Sequence, residues 1–97
     1  MSLKWTSKAD SDLDGVFEYY KEILGAVKAK AIVQDIVRQV KTLDDPKMVA
    51  KGRPTEVPDV RELVLQRWPF LTPYHLSTGD VEILRVHHQS RQHPSQW

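Results

Sequence analysis

The stretch "VEILRVHHQSRQHP", residues 81–94, starts as an alternating apolar run and ends in His87, His88, Arg91 and His93, with Arg85 just before them. A second run, "VRELVLQR", opens on Arg61 and Glu62. The planar fork of arginine holds a phosphate or carboxylate through two parallel hydrogen bonds. A histidine that titrates near neutrality can serve as general acid or base in phosphodiester cleavage. If neighbouring strands bring Arg61, Arg85, His88 and Arg91 to one end of a sheet, they form a basic, imidazole-bearing patch suited to such a ligand. The opposing reading has Arg61 and Glu62 on opposite faces of a strand, each in its own surface ion pair, with the histidines in a solvated tail. Spacing leaves both open.

Other chemistries are narrower. There is no cysteine, so disulfides, thiolate metal sites and cysteine nucleophiles are excluded. His87 and His88 point to opposite faces of a strand and no strong carboxylate partner follows them, so no metal or other cofactor is expected. Neither Ser77 nor Ser90 sits in a glycine elbow, and Lys51-Gly52-Arg53 is no phosphate-cradling loop. The net charge of +1 does not imply nucleic-acid binding, and no sequence-specific contact to nucleic acid is expected. Its distribution is more telling: every lysine lies at or before Lys51, whereas five of six arginines and all four histidines follow it. That segregation fits a recognition surface in the second half, or simply lysines coating two amphipathic helices. Of the three tryptophans, Trp5 reads as core, while Trp68 and Trp97 are candidate partner anchors.

The elements that must position these groups follow from periodicity. "LKWT" reads as a first strand, and Thr6 or Ser7 as the N-cap of a helix with Asp10 and Asp12 in its first turn, where the helix dipole favours anions. Ala9, Leu13, Val16, Phe17, Tyr20 and Leu24 form one helical stripe, ended by Gly25. A second stripe of Ala29, Ile32, Val33, Ile36, Val40 and Leu43 gives a helix from Ala26 to about Leu43, stopped by Asp44, Asp45 and Pro46. "PKMVAKGRPTEVPD" reads as an irregular loop. Residues 60–67, 68–77 and 81–88 then read as three strands in an antiparallel meander, with Val81, Ile83 and either Val86 or Leu84 facing the core. At 97 residues the chain fits a single domain, of α+β class: an N-terminal strand, a two-helix hairpin and a three-stranded meander. No apolar run approaches the roughly 18 residues of a membrane span. The N-terminus lacks the apolar segment of a signal peptide, so a cytoplasmic location is expected.

In that order, the aromatic first strand, Ala9-x-x-Asp12-Leu13 opening the hairpin, Arg61-Glu62-Leu63, the Tyr74-bearing strand, Ile83-Leu84-x-Val86 and His88-x-x-Arg91 with Pro94 resemble the RelE/ParE superfamily of bacterial type II toxins. The resemblance covers nearly the whole chain and implies the same helical hairpin on a small antiparallel sheet. RelE-like members cleave messenger RNA on the ribosome; ParE-like members poison DNA gyrase. Arg-Glu-Leu at residues 61–63 and the His88 and Arg91 ending are more similar to the ParE branch, and no tyrosine follows Tyr74. The resemblance therefore implies a gyrase poison, with Arg61, Glu62, His88, Arg91 and Trp97 as target-binding candidates. On the RelE alternative, Arg61, Arg85, His88 and Arg91 are the catalytic candidates, with His88 or His93 standing in for the C-terminal tyrosine. It also implies an antitoxin partner whose segment folds onto the helical flank, with Tyr19, Tyr20 and Ile23 as contact candidates. A third possibility is an inert, antitoxin-binding remnant.

Overall fold

The computed structural model describes residues 2–89. The N-terminal strand β1 (Ser2–Trp5) leads into helix α1 (Ser7–Leu24), where the Thr6 hydroxyl accepts from the Ala9 amide at 3.1 Å as N-cap. Gly25 at φ 90° lies in the left-handed region open to glycine, and it alone joins α1 to α2 (Ala26–Lys41). The hairpin buries Ala9 and Val16 from the first stripe and Ala29, Ile32, Ile36 and Val40 from the second. Leu24 departs from the expected stripe: at the hairpin tip it is exposed, beyond the reach of the sheet.

Helix α2 stops at Lys41, and a 3-10 turn over Thr42–Asp44 carries Leu43 into the core in its place. The loop expected after it is partly regular. Asp45 caps a short helix α3 (Pro46–Val49) through the Lys47 amide, with Pro46 at its start, so the residues that end one helix also begin another. Strand β2 (Arg53–Pro54) then pairs antiparallel with β3 (Val60–Val64).

The expected meander is present as β3, β4 (Phe70–Ser77) and β5 (Asp80–Ile83), each antiparallel to the next, and β1 adds to the outer edge of β5 in parallel. The last expected strand is broken. It resumes as β6 (His87–His88), which pairs with β4 rather than with a new neighbour. Ile83 lies opposite Tyr74 and His87 opposite Leu71, so residues 84–86 face only residues 72 and 73 across the ladder. That extra residue is a β-bulge, and it reverses the alternation of faces beyond it. Val81 and Ile83 point to the helices before the bulge, and Val86 enters the same core after it while Leu84 is only half-buried.

Tyr74 is fully buried at the centre of this core, and its hydroxyl donates to the Val49 carbonyl at 2.5 Å, tying α3 to the sheet. Gly52 packs against the same hydroxyl: a Cβ there would lie 2.0 Å from the Tyr74 oxygen. Gly52→Ala should therefore cost about 1–3 kcal/mol of unfolding free energy in a urea titration, the range for overpacking a core. In a Tyr74→Phe background the same change should cost less, because the atom nearest the new methyl is gone. Equal costs in the two backgrounds would place the strain elsewhere.

Candidate functional site

Where β6 passes beneath α1, the two elements leave a groove of about 600 Å³. One wall is α1, with Ser11, Asp12, Gly15, Val16 and Tyr19; the other is Phe70 and residues 85–88. Ser11, Gly15 and Tyr19 recur at helical spacing, which sets them along one side of α1. Tyr19 is 60% exposed, and one turn beyond it Ile23 is 59% exposed, continuing an apolar stripe toward the hairpin tip, where Val27 is 85% exposed. Tyr20 points inward instead: it packs edge-on to Trp68 and Phe70, each with ring centroids 6.4 Å away, and burial raises its phenol pKa. Of the three candidates for antitoxin contact, Tyr19 and Ile23 present surface and Tyr20 belongs largely to the core.

His88 lies opposite Phe70 in the ladder and stacks edge-on against its ring at 5.6 Å, on the face that carries the helices. His87 lies opposite Leu71 and starts toward the other face. Arg85 reaches α1. Its Nε donates to Asp12 Oδ2 at 2.8 Å and its Nη2 to Oδ1 at 3.1 Å, and the Val86 amide donates to the same Oδ2 at 2.9 Å. The hydrogen bonds that Arg85 donates to Asp12 raise its pKa further above its already high value, against a smaller opposing effect of burial. The sequence reading placed Asp12 in the helix dipole and missed this pairing; only the bulge makes it intelligible.

Arg61 and Glu62 are not part of this site. Arg61 lies opposite Tyr74 on one side of β4 and His88 opposite Phe70 on the other. Four residues at ~3.3 Å along the strand and two strand spacings of ~4.8 Å across it separate them by about 16 Å. Arg61 donates to the Gly52 carbonyl at 2.7 Å, beneath α3. Glu62, on the opposite face, is 8% exposed and pairs with Arg53 at 3.3 Å. The expectation that neighbouring strands gather Arg61 with Arg85 and His88 is thus corrected: β4 lies between them, and the register sets Arg61 four residues along it from His88. Arg91, His93 and Trp97 fall outside the described residues. Among the described residues no group of three or more metal-ligating side chains comes together, and no helix is long and apolar enough to cross a membrane.

Trp68, a candidate anchor by sequence, is turned inward. Its Nε1 donates to Asp35 Oδ2 at 2.7 Å, and Asp35 also accepts from Arg38 and Gln39. Gln39 in turn makes reciprocal bonds to the backbone of Gln66, 2.9 Å from its Nε2 to the carbonyl and 2.7 Å from the amide to its Oε1. The β3–β4 turn is therefore fastened to α2 as the bulge is fastened to α1.

A helical hairpin laid on an antiparallel meander is an architecture shared with RelE-like and ParE-like chains. The isolated RelE toxin of E. coli aligns with it at a TM-score of 0.55 and 16% identity, over 94% of this chain and 86% of RelE, a likeness of fold alone. The model of the ParE toxin of the type II toxin–antitoxin system, parDE, matches residues 3–93, and the chain belongs to that family of toxins. A chain of the chromosomal ParDE toxin–antitoxin system of P. aeruginosa is 48% identical, with a TM-score of 0.81 over 91% of this chain and 95% of that one. The protein Y4kP of Sinorhizobium fredii, named as a candidate toxin, is 35% identical over 92 residues, 95% of this chain and 92% of its own length.

Asp35 also sets an acid dependence. The Trp68 hydrogen bond, followed by those from Arg38 and Gln39, holds its carboxyl below the ordinary 3.8, against the opposing effect of burial. A carboxyl whose pKa falls on folding stabilises the fold fully above its unfolded value, and that contribution is lost as pH drops through the folded one. Asp35→Asn should lower the melting temperature at pH 7, and the difference should shrink as pH falls below the ordinary carboxyl value, so the two melting curves converge in acid. Parallel curves across that range would remove Asp35 from the acid response.

Proposed function

We propose that this ParE-family toxin arrests growth by binding and inhibiting DNA gyrase in the bacterial cytoplasm, and that a cognate antitoxin neutralises it by folding onto the exposed side of the helical hairpin. The observation that carries the reading is the 48% identity, over nearly the full length of both chains, to a member of a ParDE toxin–antitoxin system. The chain's own geometry favours a binding mode over ribonuclease chemistry. Four groups would make up the cleaving set: Arg61, Arg85, His88 and Arg91. Arg61 is about 16 Å from His88 along and across the sheet, and Arg85 is held by Asp12. His88, Arg91 and Trp97, at and beyond the end of β6, are the target-facing residues in this reading, with Arg61 and Glu62 supporting the sheet behind them.

The antitoxin contact rests on exposure. Tyr19 and Ile23 sit one turn apart on α1 with about three-fifths of each side chain in solvent, next to the groove. An antitoxin segment that orders on binding gains by covering such a stripe. Charged substitutions there, Tyr19→Asp with Ile23→Asp, should leave growth arrest intact on expression alone and abolish rescue by the co-expressed antitoxin. Rescue at the wild-type level would move the antitoxin to another face.

The target is tested by adding the purified toxin to gyrase, supercoiled plasmid and ATP. Inhibited supercoiling with protein-linked linear DNA is expected, and Arg91→Ala should remove it while leaving the melting temperature and antitoxin binding unchanged. A growth-arresting toxin that leaves gyrase untouched and cuts messenger RNA on ribosomes would replace this reading with the RelE one. A folded chain that does not arrest growth at all would mark it as an inert antitoxin-binding remnant.

A further inference from the structure

We propose that Asp12 is a positioning residue for the toxin's target-facing end: by holding the β-bulge at residues 84–86, it decides which histidine meets Phe70 on the helix side of the sheet. The inference rests on the reading that the end of β6 engages the target.

A bulge removes one residue from the ladder and leaves its amide in need of an acceptor. Here the Val86 amide finds Asp12 Oδ2 at 2.9 Å, on another element. The Arg85 fork closes over the same carboxylate from the side, so three donors fix both oxygens. The consequence is one of parity. Because successive strand residues alternate faces, one inserted residue exchanges every position after it between the two faces of the sheet. With the bulge in place, Val86 enters the core and His88 meets Phe70 on the helix side, 5.6 Å between ring centroids. Without it, the ladder would continue from Ile83 in unbroken register, and Arg85 and His87 would take those places while His88 turned to the far face. Apolar packing resists that slip only through Val86, whereas Asp12 resists it directionally. Arg85 is accordingly a strut for the bulge and not an anion-binding group.

Asp12→Asn tests this with a toxin of nearly unchanged shape. In the wild type, magnetisation transfer between the His88 and Phe70 rings should be visible by NMR. In Asp12→Asn it should weaken or vanish, with shifted amides at residues 85–88, while far-UV circular dichroism and a cooperative melt show a folded chain. Potency per folded molecule, read as the induction level that halves growth rate, should fall about tenfold or more. A purely stabilising role would lower the melting temperature and leave potency per folded molecule, or the ring contact, unchanged; either result overturns the proposal. Should Asp12→Asn not fold, Arg85→Lys takes its place. It keeps the charge but lacks the fork, and full potency with an intact His88–Phe70 contact would likewise overturn the inference. The double variant Asp12→Ala with Arg85→Ala should be no weaker than Asp12→Ala alone; a further loss from Arg85 would mean that it touches the target directly. If the wild type arrests growth but spares gyrase, the gyrase reading fails and Asp12 is still judged on growth arrest.

Discussion

The path of the last strand depends on a carboxylate bridging elements that lie 73 residues apart in sequence, from Asp12 in the second turn of α1 to Arg85 at the bulge before β6. Burial of apolar side chains brings the helical hairpin down on the sheet, but that force is non-directional and does not choose among registers of similar apolar content. Residues 81–88 offer two such registers, because Val81 and Ile83 fit one alternation and Val86 the other. Hydrogen bonds are directional, and three of them at Asp12 select the bulged path.

A second carboxylate performs the same task at the neighbouring β3–β4 turn. Asp35, 9% exposed on α2, accepts from Trp68, Arg38 and Gln39, while Gln39 takes both backbone groups of Gln66. A carboxylate withdrawn from water is costly unless its oxygens are satisfied, and each of these two has three donors. The division of labour is plain: the apolar core supplies the driving force, and one acidic residue per helix fixes where the adjoining turn must sit. The asymmetry of the sheet follows, with each helix fastened to the turn nearest it and the hairpin tip around Ile23 and Val27 fastened to nothing within the described chain.

Periodicity made the helices legible, because Ala9 and Val16, and Ala29 through Val40, are apolar at helical spacing and the chain buries them. Thr6 and Gly25 marked the ends of α1 for local reasons that operate in the structure as they do in isolated helices. The three meander strands were legible for the same reason. What escaped was non-local. Asp12 and Asp35 look like any helix-surface acid, since nothing in their neighbourhood announces a bulge or an indole from a distant turn. The bulge itself has no composition, only a mismatch between two strands. The patch joining Arg61 to His88 failed on register: strands close in sequence order can still lie on opposite sides of a third strand, with their side chains four residues apart along it.

The same logic explains why arginines crowd the second half of the chain. Arg53 pairs with Glu62 at 3.3 Å, Arg61 takes the Gly52 carbonyl at 2.7 Å, Arg67 comes within 3.9 Å of Asp35, and Arg85 grips Asp12. Each described arginine after Lys51 is thus engaged with an acceptor of its own chain, at a turn or strand that needs a tether longer than the backbone can supply. Most lysines lie on the helices, while Lys4 on β1 pairs with Asp80 at 3.6 Å. At Arg85, which gives both Nε and Nη2 to Asp12, an incoming phosphodiester would have to displace the carboxylate already in place. Displacing Asp12 from Arg85 would also release the bulge that sets His88 against Phe70. A site built that way would lose its shape in the act of binding. A surface that recognises a large protein by shape has no such conflict, because the arginines that build it need not also touch the ligand.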